Sequence, residues 1–498
     1  MINRLQIALT FILFVTGPSV LSRAGDLRAS DLQADPSRLL EQRLTAVEEK
    51  LRQLEARVDQ ALSFPGNADS ARTEVTSTAA LPDRFEILDQ KLRVIERKKE
   101  LEDEAALTKA KAAPVVSAGK DGFGLRSADS NFNLRVGGYV QADSHFMTSH
   151  DSQRPLGAST FLLRRVRPIL QGTVYKYFDF RLMPDFGNGQ TVLQDAYLDF
   201  NYFPGAKIRF GKAKPPVGLE RLVSGSEMLF VERAFPTSLV PNRDLGVQVV
   251  GDNLAGGVFN YALGVFNGVP DGLSGDLDTN NTKEFAGRVF VLPFRKTSIE
   301  PLQGLGLGIS GTDGSQEGPL PSFRTSGLVP FFTYAANTVA AGQRHRISPQ
   351  AYYYWNSLGL LGEYVKSTQT IRRNTTSGEI SDEAWQIAGS YVLTGEKASY
   401  RGVVPTRMFN PREGAFGAFE LAARYHQLKI DNDTFLLGFA NPTASASKAE
   451  AWTLGLNWYF DRNLKFNVNY EQTHFTGGGL LGNRPTEKTL LTRFQVYF

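Results

Sequence analysis

Cysteine is absent from this sequence of 498 residues. That absence excludes a disulfide framework, a thiolate zinc site and a cysteine nucleophile. A large excess of one charge is also missing, because the formal net charge of +4 is too small to indicate a nucleic-acid binder. Beyond the N-terminus no apolar run approaches the ~20 residues that a membrane-spanning helix requires. A chain of this length forms either about three soluble domains or one large β-barrel.

Residues 1–24 have the pattern of an export signal. Arg4 supplies a basic start, Ile7–Val15 an apolar core, and Pro18 ends that core before small residues flank a cleavage position. We expect cleavage after Ala24. The alternative, a membrane anchor, is disfavoured because the apolar core has about half the length of a membrane span.

Residues 25–105 carry a heptad pattern. Apolar residues recur in alternating steps of four and three over residues 40–61, and the spacing resumes over 81–95 after a linker rich in Ser, Thr and Ala. Such narrow seams predict a periplasmic coiled coil between chains, although one helix folding back on the other stays open. Residues 106–130 are predicted to be a linker.

From residue 131 to 498 the period of the pattern changes to two. In Phe132–Asp143 apolar residues alternate with polar ones, which is typical of a strand with one apolar and one polar face. The same alternation recurs in Phe178–Leu182, Phe259–Val265, Phe419–His426, Trp452–Phe460 and Leu464–Glu471. This region therefore predicts an all-β fold.

The connections indicate what the apolar faces contact. Short turns such as Phe203–Ala206 alternate with long polar segments, and the chain closes on the aromatic strand Arg493–Phe498. This pattern favours a transmembrane antiparallel β-barrel over a secreted sandwich. The segments predicted as long loops are 144–159, 214–243, 268–283, 368–382 and 431–448.

About sixteen strands are predicted, after a doubtful segment, Leu328–Tyr334, is assigned to a loop. An even number is expected because the first and last strands of a closed bacterial barrel pair antiparallel. A barrel of this size leaves an aqueous channel rather than a filled core.

Several segments resemble the phosphate-selective porin O and P family: Phe161–Tyr175, Ile208–Glu220, Phe230–Pro236, Tyr261–Gly268 and Gly417–Tyr425. The resemblance covers about residues 131–498. It implies a homotrimeric outer-membrane porin whose third extracellular loop, Lys214–Arg243, folds into the pore, with a coiled coil before the barrel. Proteins of this kind are recognised by the outer-membrane assembly machinery through the C-terminal strand, which ends here at Phe498.

The charge of the predicted barrel favours anions. Residues 131–498 contain 36 Lys and Arg against 31 Asp and Glu, a net charge of +5, and Arg outnumbers Lys by 24 to 12. Cations that line a narrow aqueous pore favour anions over cations. The alternative is that these cations pair with lumenal Asp143, Asp179, Asp195, Asp199 and Glu420. The cations predicted to line the pore are Arg135, Arg165, Arg167, Arg181, Lys207, Arg209, Lys214 and Arg424.

Arg164 and Arg165 are adjacent, so regular alternation cannot turn both side chains into the lumen. Either Arg164 lies at the extracellular rim, or a β-bulge turns both residues inward. The resemblance implies the bulge, because the corresponding arginine pair belongs to the central anion site of phosphate-selective members.

The resemblance also implies that a basic residue and a serine of the inward loop complete the constriction. The matching residues in this sequence are Arg221 and Ser224. The sequence departs from the family pattern just after them, since Gly225 and Glu227 occupy positions where further positive charge would strengthen a phosphate site. The predicted anion site consists of Arg164, Arg165, Arg209, Arg221 and Ser224.

Catalytic and cofactor motifs are weak. Gly306–Gly311 fits G-x-G-x-x-G but lies in an alternating strand rather than before a helix. Ser144 and His145 are neighbours on one strand and face opposite sides, so they cannot form a triad directly. The five histidines lack metal-ligand spacing. We therefore predict neither an enzyme nor a cofactor or metal site.

Together these features predict a porin in the lipid of the bacterial outer membrane that lets phosphate and similar small anions diffuse into the cell. No nucleic acid is expected as a partner. Two alternatives stay open: a general, weakly selective porin, or a structural outer-membrane protein whose coiled coil tethers the envelope.

Overall fold

The computed structural model describes residues 49, 52–53, 56, 81–119, 122–148, 159–278 and 280–498. The predicted export signal and most of the first heptad segment lie outside the described residues. The chain divides into two compact units, residues 1–103 and 104–498. No helix in the described ranges combines the length and the apolar character needed to cross a membrane.

A helix, α1 (Leu81–Ala112), contains the second heptad segment. Several of its apolar side chains are exposed, among them Leu92 and Ile95. The predicted linker also has regular structure, because α1 extends to Ala112 and is followed by the hairpin of β1 (Val115–Gly119) and β2 (Gly122–Arg126). The short alternation of Phe123 and Leu125 with glycines accounts for this hairpin, which pairs with the start of the next strand, β3 (Asn133–Met147).

Sixteen strands in the described part of the chain form one closed antiparallel barrel. The last strand, β21 (Glu487–Tyr497), pairs with the first, β3, over Thr489–Tyr497 and Tyr139–Met147, which closes the barrel as predicted. The barrel strands are β3 (Asn133–Met147), β4 (Thr160–Val174), β5 (Phe178–Asp185), β6 (Val192–Phe203), β7 (Ala206–Ala213), β8 (Asp244–Asn253), β9 (Phe259–Phe266), β10 (Glu284–Val291), β11 (Leu305–Pro319), β14 (Thr338–Trp355), β15 (Leu358–Arg373), β16 (Thr376–Val392), β17 (Ala418–Lys429), β18 (Ala446–Tyr459), β19 (Leu464–Gly479) and β21 (Glu487–Tyr497).

The remaining elements are short and lie in the connections. The doubtful segment Leu328–Tyr334 contributes β13 (Pro330–Phe332), which pairs with β12 (Phe323–Arg324) in a separate hairpin and not in the barrel, as predicted. The others are β20 (Gly482–Asn483), α2 (Leu254–Gly257), α3 (Asp433–Leu436) and 3-10 turns at Gly187–Gly189, Glu220–Leu222, Phe235–Leu239, Glu300–Gly304 and Pro411–Glu413.

The alternating pattern sets which side chains face the lumen. In β17, Glu420, Arg424 and His426 point inward and are buried. Leu421 and Tyr425 alternate with them, point outward and are 48% and 37% exposed. The apolar face therefore covers the outside of the barrel, as the alternation predicted.

The two ends of the barrel differ. One end, here the terminal end, carries Phe498 and most of the short turns. The prediction of a long loop at 368–382 was wrong, because β15 and β16 continue through it and turn at residues 374–375. Polar residues on both faces gave the appearance of a loop, yet their backbones still pair as strands. A long connection, residues 393–417, lies instead at the terminal end.

Part of the lumen is filled by an apolar core near the other end, here the loop end. Phe235 and Leu239 from the segment between β7 and β8 pack with Phe331 and Phe332 of the β12–β13 hairpin. The rings of Phe235 and Phe331 are 5.6 Å apart. This core joins two loops to the barrel wall and leaves the remaining lumen for polar side chains.

Candidate functional site

The segment between β7 and β8, Lys214–Arg243, crosses the lumen; we call it the inward loop. Side chains from three strands fix its backbone by hydrogen bonds: Gln141 donates to Gly225 O at 2.7 Å, Glu363 accepts from Leu219 N at 2.6 Å, and Asn469 accepts from Val231 N at 2.7 Å. Because these strands surround the lumen, the loop narrows the channel and is held from several sides.

A β-bulge turns Arg164 and Arg165 toward this loop. Gln141 of β3 pairs with Arg165, but the next residue, Ala142, pairs with Leu163, so Arg164 is the extra residue of β4. The Arg165 guanidinium donates to Gln141 Oε1 at 2.7 Å. The structure thus has the β-bulge that turns both arginines inward, and Arg164 does not lie at the extracellular rim.

Glu232 of the inward loop lies among three arginines. Its carboxylate accepts from Arg164 Nε at 2.6 Å and lies 4.0 Å from Arg165 and 3.5 Å from Arg493. Burial alone would raise the pKa of Glu232, but Arg164 and Arg165 hold that pKa well below its usual range. The carboxylate therefore stays ionised and offsets only part of the surrounding positive charge.

One group of potential metal ligands occurs within the described ranges, namely Asp143, His145 and Glu232. Both oxygens of Asp143 accept from Arg493, at 2.8 and 2.6 Å, and Arg164 occupies Glu232 in the same way. Arginines that take up the carboxylate oxygens also repel a cation. These residues do not fit a metal ion.

Three cations of the inward loop are held by neutral acceptors. Lys214 Nζ donates to Val223 O at 2.7 Å, Arg233 donates to the same carbonyl at 2.8 Å, and Arg221 donates to Asn242 Oδ1 at 3.1 Å. Burial, together with neighbouring arginines, lowers the pKa of Lys214 well below its usual value, and the pKa of Arg221 is lowered for the same reasons. The positive charge here is poorly compensated.

Other cations predicted to line the pore are paired with carboxylates. Their ion pairs are Arg167 with Asp185 at 2.7 Å, Arg181 with Asp195 at 3.2 Å, and Arg209 with Asp199 at 2.7 Å, with Lys207 also 3.8 Å from Asp199. Asp195 and Asp199 were among the partners considered for the alternative, in which the lumenal charges cancel. Arg135 lies exposed at the terminal end.

The family model for phosphate-selective porin O and P matches residues 134–319 and 329–498. The chain belongs to this family. The protein is therefore an outer-membrane porin and not an enzyme, as predicted, and its short turns face the periplasm. The terminal end is thus the periplasmic end.

Three known proteins are similar to this porin at low sequence identity. Porin O of Pseudomonas aeruginosa is 24% identical over 399 residues, which cover 72% of this chain and 86% of that protein. Among solved structures, the outer membrane channel DcaP of Acinetobacter baumannii aligns with a TM-score of 0.49 at 10% identity, covering 75% of this chain and 99% of that one. An anion-selective porin from Comamonas acidovorans aligns with a TM-score of 0.44 at 14% identity, covering 74% and 100%.

The inward loop of the porin separates two lumenal cavities of about 560 Å³ each. The extracellular vestibule is lined by Arg164, Arg165, Arg167, Arg221, Glu232 and Arg233. The periplasmic vestibule is lined by Arg135, Arg181, Arg209, Ser224, Arg288 and Arg401. The five residues predicted as one anion site are therefore divided, three on the extracellular side of the loop and two on the periplasmic side.

Arg424 faces inward, as predicted, but lies beneath the inward loop of the porin. Its guanidinium donates to Glu232 O at 3.0 Å and to Glu471 at 3.1 Å, and it lies 4.4 Å from the centre of the Phe230 ring. It lines neither vestibule. These contacts are those of an anchor for the loop.

Sequence reasoning missed several residues of the site, among them Glu232, Arg233, Arg243 and Arg493. Arg243 lines both vestibules. Glu232 and Arg233 lie in the family segment Phe230–Pro236, and Arg493 alternates with Phe494 in the last strand. The alternation of β21 could have identified Arg493, whereas the roles of the loop residues depend on how the loop folds.

Proposed function

We propose that the porin is an anion-selective channel for passive uptake of phosphate and similar small anions. The observation that carries this proposal is the set of Lys214, Arg221 and Arg233, none of which forms an ion pair with a carboxylate in the described structure. Buried or half-buried cations without counter-charges attract a mobile anion, because that anion supplies the missing negative charge in a low-dielectric constriction.

The identity of the residues supports an oxyanion as the permeant species. Arg164, Arg165 and Arg221 border the extracellular vestibule, and the planar guanidinium fork suits two-point contacts with phosphate oxygens. Arg209 and Ser224 border the periplasmic vestibule. We propose that an anion entering from outside first contacts Arg164, Arg165 and Arg221. It then passes the inward loop and contacts Arg209 and Ser224.

A general, weakly selective porin is the second candidate. The observation that favours it is the ion pairing of Arg167, Arg181 and Arg209, which leaves those parts of the wall nearly neutral. Glu227 and Glu232 on the inward loop reduce the positive potential further. The two candidates differ in whether the cations of the loop outweigh these acids.

Reversal potentials in planar bilayers distinguish the two candidates. The purified full-length porin is placed in a potassium chloride gradient, and the potential at zero current gives the anion-to-cation permeability ratio. Phosphate is then added to measure block of the chloride current. A ratio well above one with phosphate block supports the first candidate, and a ratio near one without block supports the second.

We further propose that the porin is a homotrimer whose residues 25–105 form a parallel coiled coil in the periplasm. The exposed apolar side chains of α1, among them Leu92, Ile95 and Leu101, support this proposal because a coiled-coil seam needs partner helices. Sedimentation of a fragment spanning 25–105 tests it. A monomer at high concentration would count against the coiled coil.

The C-terminal strand is proposed as the signal for outer-membrane assembly. Phe498 exchanges two backbone hydrogen bonds with Gly138, at 2.8 and 2.9 Å, where the barrel closes. Deletion of Phe498 should lower the yield of heat-modifiable folded porin in the outer membrane. A normal yield would contradict this role.

A further inference from the structure

The long connection 393–417 crosses the rim of the barrel at the periplasmic end. Its first half lies inside the mouth, where Val403 is buried in an apolar cluster with inward residues of the wall. Its second half, residues 404–416, lies on the outside; we call it the rim segment. The ring of Phe409 lies 5.6 Å from that of Trp458, which belongs to the outward face of β18. The connection therefore reaches both faces of the wall.

Hydrogen bonds fix the rim segment against the outer surface of the barrel. Trp458 Nε1 donates to Phe416 O at 2.7 Å, and Phe409 N donates to Phe460 O at 2.7 Å. The rings of Phe409 and Phe460 are also in contact, with their centres 5.2 Å apart. The backbone of the segment is thus held in one position beside the outward aromatic residues.

Apolar side chains of the rim segment are exposed next to the lipid-facing wall. Val404 is 59% exposed, Met408 71% and Phe416 54%. In outer-membrane barrels, girdles of aromatic residues mark both membrane interfaces, where the rings lie at the level of the lipid headgroups. Phe409 and Phe416 extend the girdle that contains Trp458. The exposed apolar surface of the segment is therefore continuous with a surface that lipid covers.

Two arginines lie in the same segment. Asn410 and Ala415 exchange backbone hydrogen bonds at 2.8 and 3.0 Å and so close a turn that carries Arg412. Arg407 Nη2 donates to Glu413 O at 3.3 Å, which places Arg407 beside this turn. Both arginines are exposed, and in the described part of the chain neither forms an ion pair with a carboxylate. Glu413 is the one acid of the rim segment, so two arginines and one glutamate give a net charge of +1.

We propose that the rim segment binds an anionic phospholipid of the periplasmic leaflet, with Arg407 and Arg412 on the headgroup phosphate and Met408 and Phe416 against the acyl chains. Guanidinium groups suit two-point contacts with phosphate oxygens, and basic residues near a membrane surface attract anionic headgroups. The apolar side chains beside the arginines favour a lipid over a free phosphate ion, which has no apolar part. This inference concerns the outer surface and does not depend on the proposed anion selectivity.

Lipid binding to the detergent-solubilised full-length porin tests this proposal. Phosphatidylglycerol is titrated onto the protein, native mass spectrometry counts the bound molecules, and phosphatidylcholine gives the neutral comparison. Arg407→Ala and Arg412→Ala should each weaken binding of phosphatidylglycerol by about fivefold, and the double variant should exceed either. Arg401→Ala is the matched control, because Arg401 is exposed on the same connection but lines the lumen. Equal binding in all these variants would overturn the proposal.

Two further measurements distinguish the lipid from other occupants. Met408→Ser keeps both arginines and should weaken phosphatidylglycerol binding by about threefold, because an apolar contact with the acyl chains is lost. Inorganic phosphate at millimolar concentration should displace little of the lipid. Displacement by phosphate would assign the arginines to a free anion, and a changed oligomeric state in Met408→Ser with unaltered lipid binding would assign the surface to a second copy of the chain. Either outcome contradicts the proposal. Heat-modifiability of each variant confirms that its barrel is folded.

Discussion

On one wall of the barrel, β3 to β7, the inward side chains border the two vestibules. On the opposite wall, β14 to β19, loops cover most of the inward side chains. Arg165 and Arg209 represent the first wall. Arg424 and Glu471 represent the second, where the inward loop lies directly over them. Both walls have the same alternation of inward polar and outward apolar residues.

The difference shows that an inward charged side chain borders the aqueous channel only where no loop packs over it. Arg165 and Arg424 are both nearly fully buried, at 3% and 4% exposure. Arg165 donates to an amide at the edge of a vestibule, while Arg424 lies against the Phe230 ring and donates to a carboxylate. We therefore expect substitutions on the covered wall to move the loop, and substitutions on the open wall to change selectivity.

The largest effect is expected where the loop is attached to the covered wall. Phe235 is 2% exposed, its ring lies 4.4 Å from that of His426, and its backbone N donates to the same histidine. Phe235→Ala should remove about 3–5 kcal/mol of packing, release the loop and raise single-channel conductance several-fold. Phe161→Ala, on the outside at 77% exposure, is the control. Unchanged conductance in Phe235→Ala would show that the loop is held elsewhere.

The next effect is on selectivity, at Arg165 of the open wall and at Arg221 of the inward loop. Charge-assisted contacts contribute about 1.5–3 kcal/mol when desolvated and less in water, so Arg165→Ala or Arg221→Ala should lower the anion-to-cation permeability ratio by about threefold to tenfold. Arg372, exposed at the loop end of β15, gives the comparison, and Arg372→Ala should change the ratio little. Reversal potentials measure all three. Equal, small effects would leave no central anion site.

The anion-to-cation permeability ratio measured at several pH values tests the role of Lys214 of the inward loop. Because burial and the charges of Arg243 and Arg233 lower its pKa, Lys214 loses its proton at a lower pH than a free lysine. Anion preference should therefore fall as pH rises, at pH values below the ordinary lysine pKa of about 10.4. Lys214→Met should show a lower anion preference at neutral pH and a flatter profile. Lys397 is exposed on the connection 393–417, and Lys397→Met should follow the unaltered channel. A flat profile in the unaltered channel contradicts this role.

The open wall was more predictable from sequence than the covered one. Strand alternation depends on nearest neighbours, so it identified Arg165, Arg181 and Arg209 as inward. The burial of Arg424 depends on Phe230 of the inward loop, far away in sequence, and alternation contains no information about that contact. Thr368–Asp382 was misread for a related reason, since polar residues on a strand that rises above the apolar band look like loop residues.

Ser224 should show the smallest effect. Its hydroxyl lies 2.9 Å from that of Ser226, so a second hydroxyl remains in the periplasmic vestibule when one is removed. A neutral hydrogen bond contributes about 0.5–1.5 kcal/mol, and water can replace it in an aqueous vestibule. We therefore expect Ser224→Ala to raise the half-blocking concentration of phosphate by less than about threefold, with chloride conductance unchanged. Ser226→Ala should behave alike, and the double variant should exceed either. A rise in the half-blocking concentration as large as that in Arg221→Ala would mean that the serine hydroxyl, rather than the guanidinium groups that border the extracellular vestibule, determines anion binding.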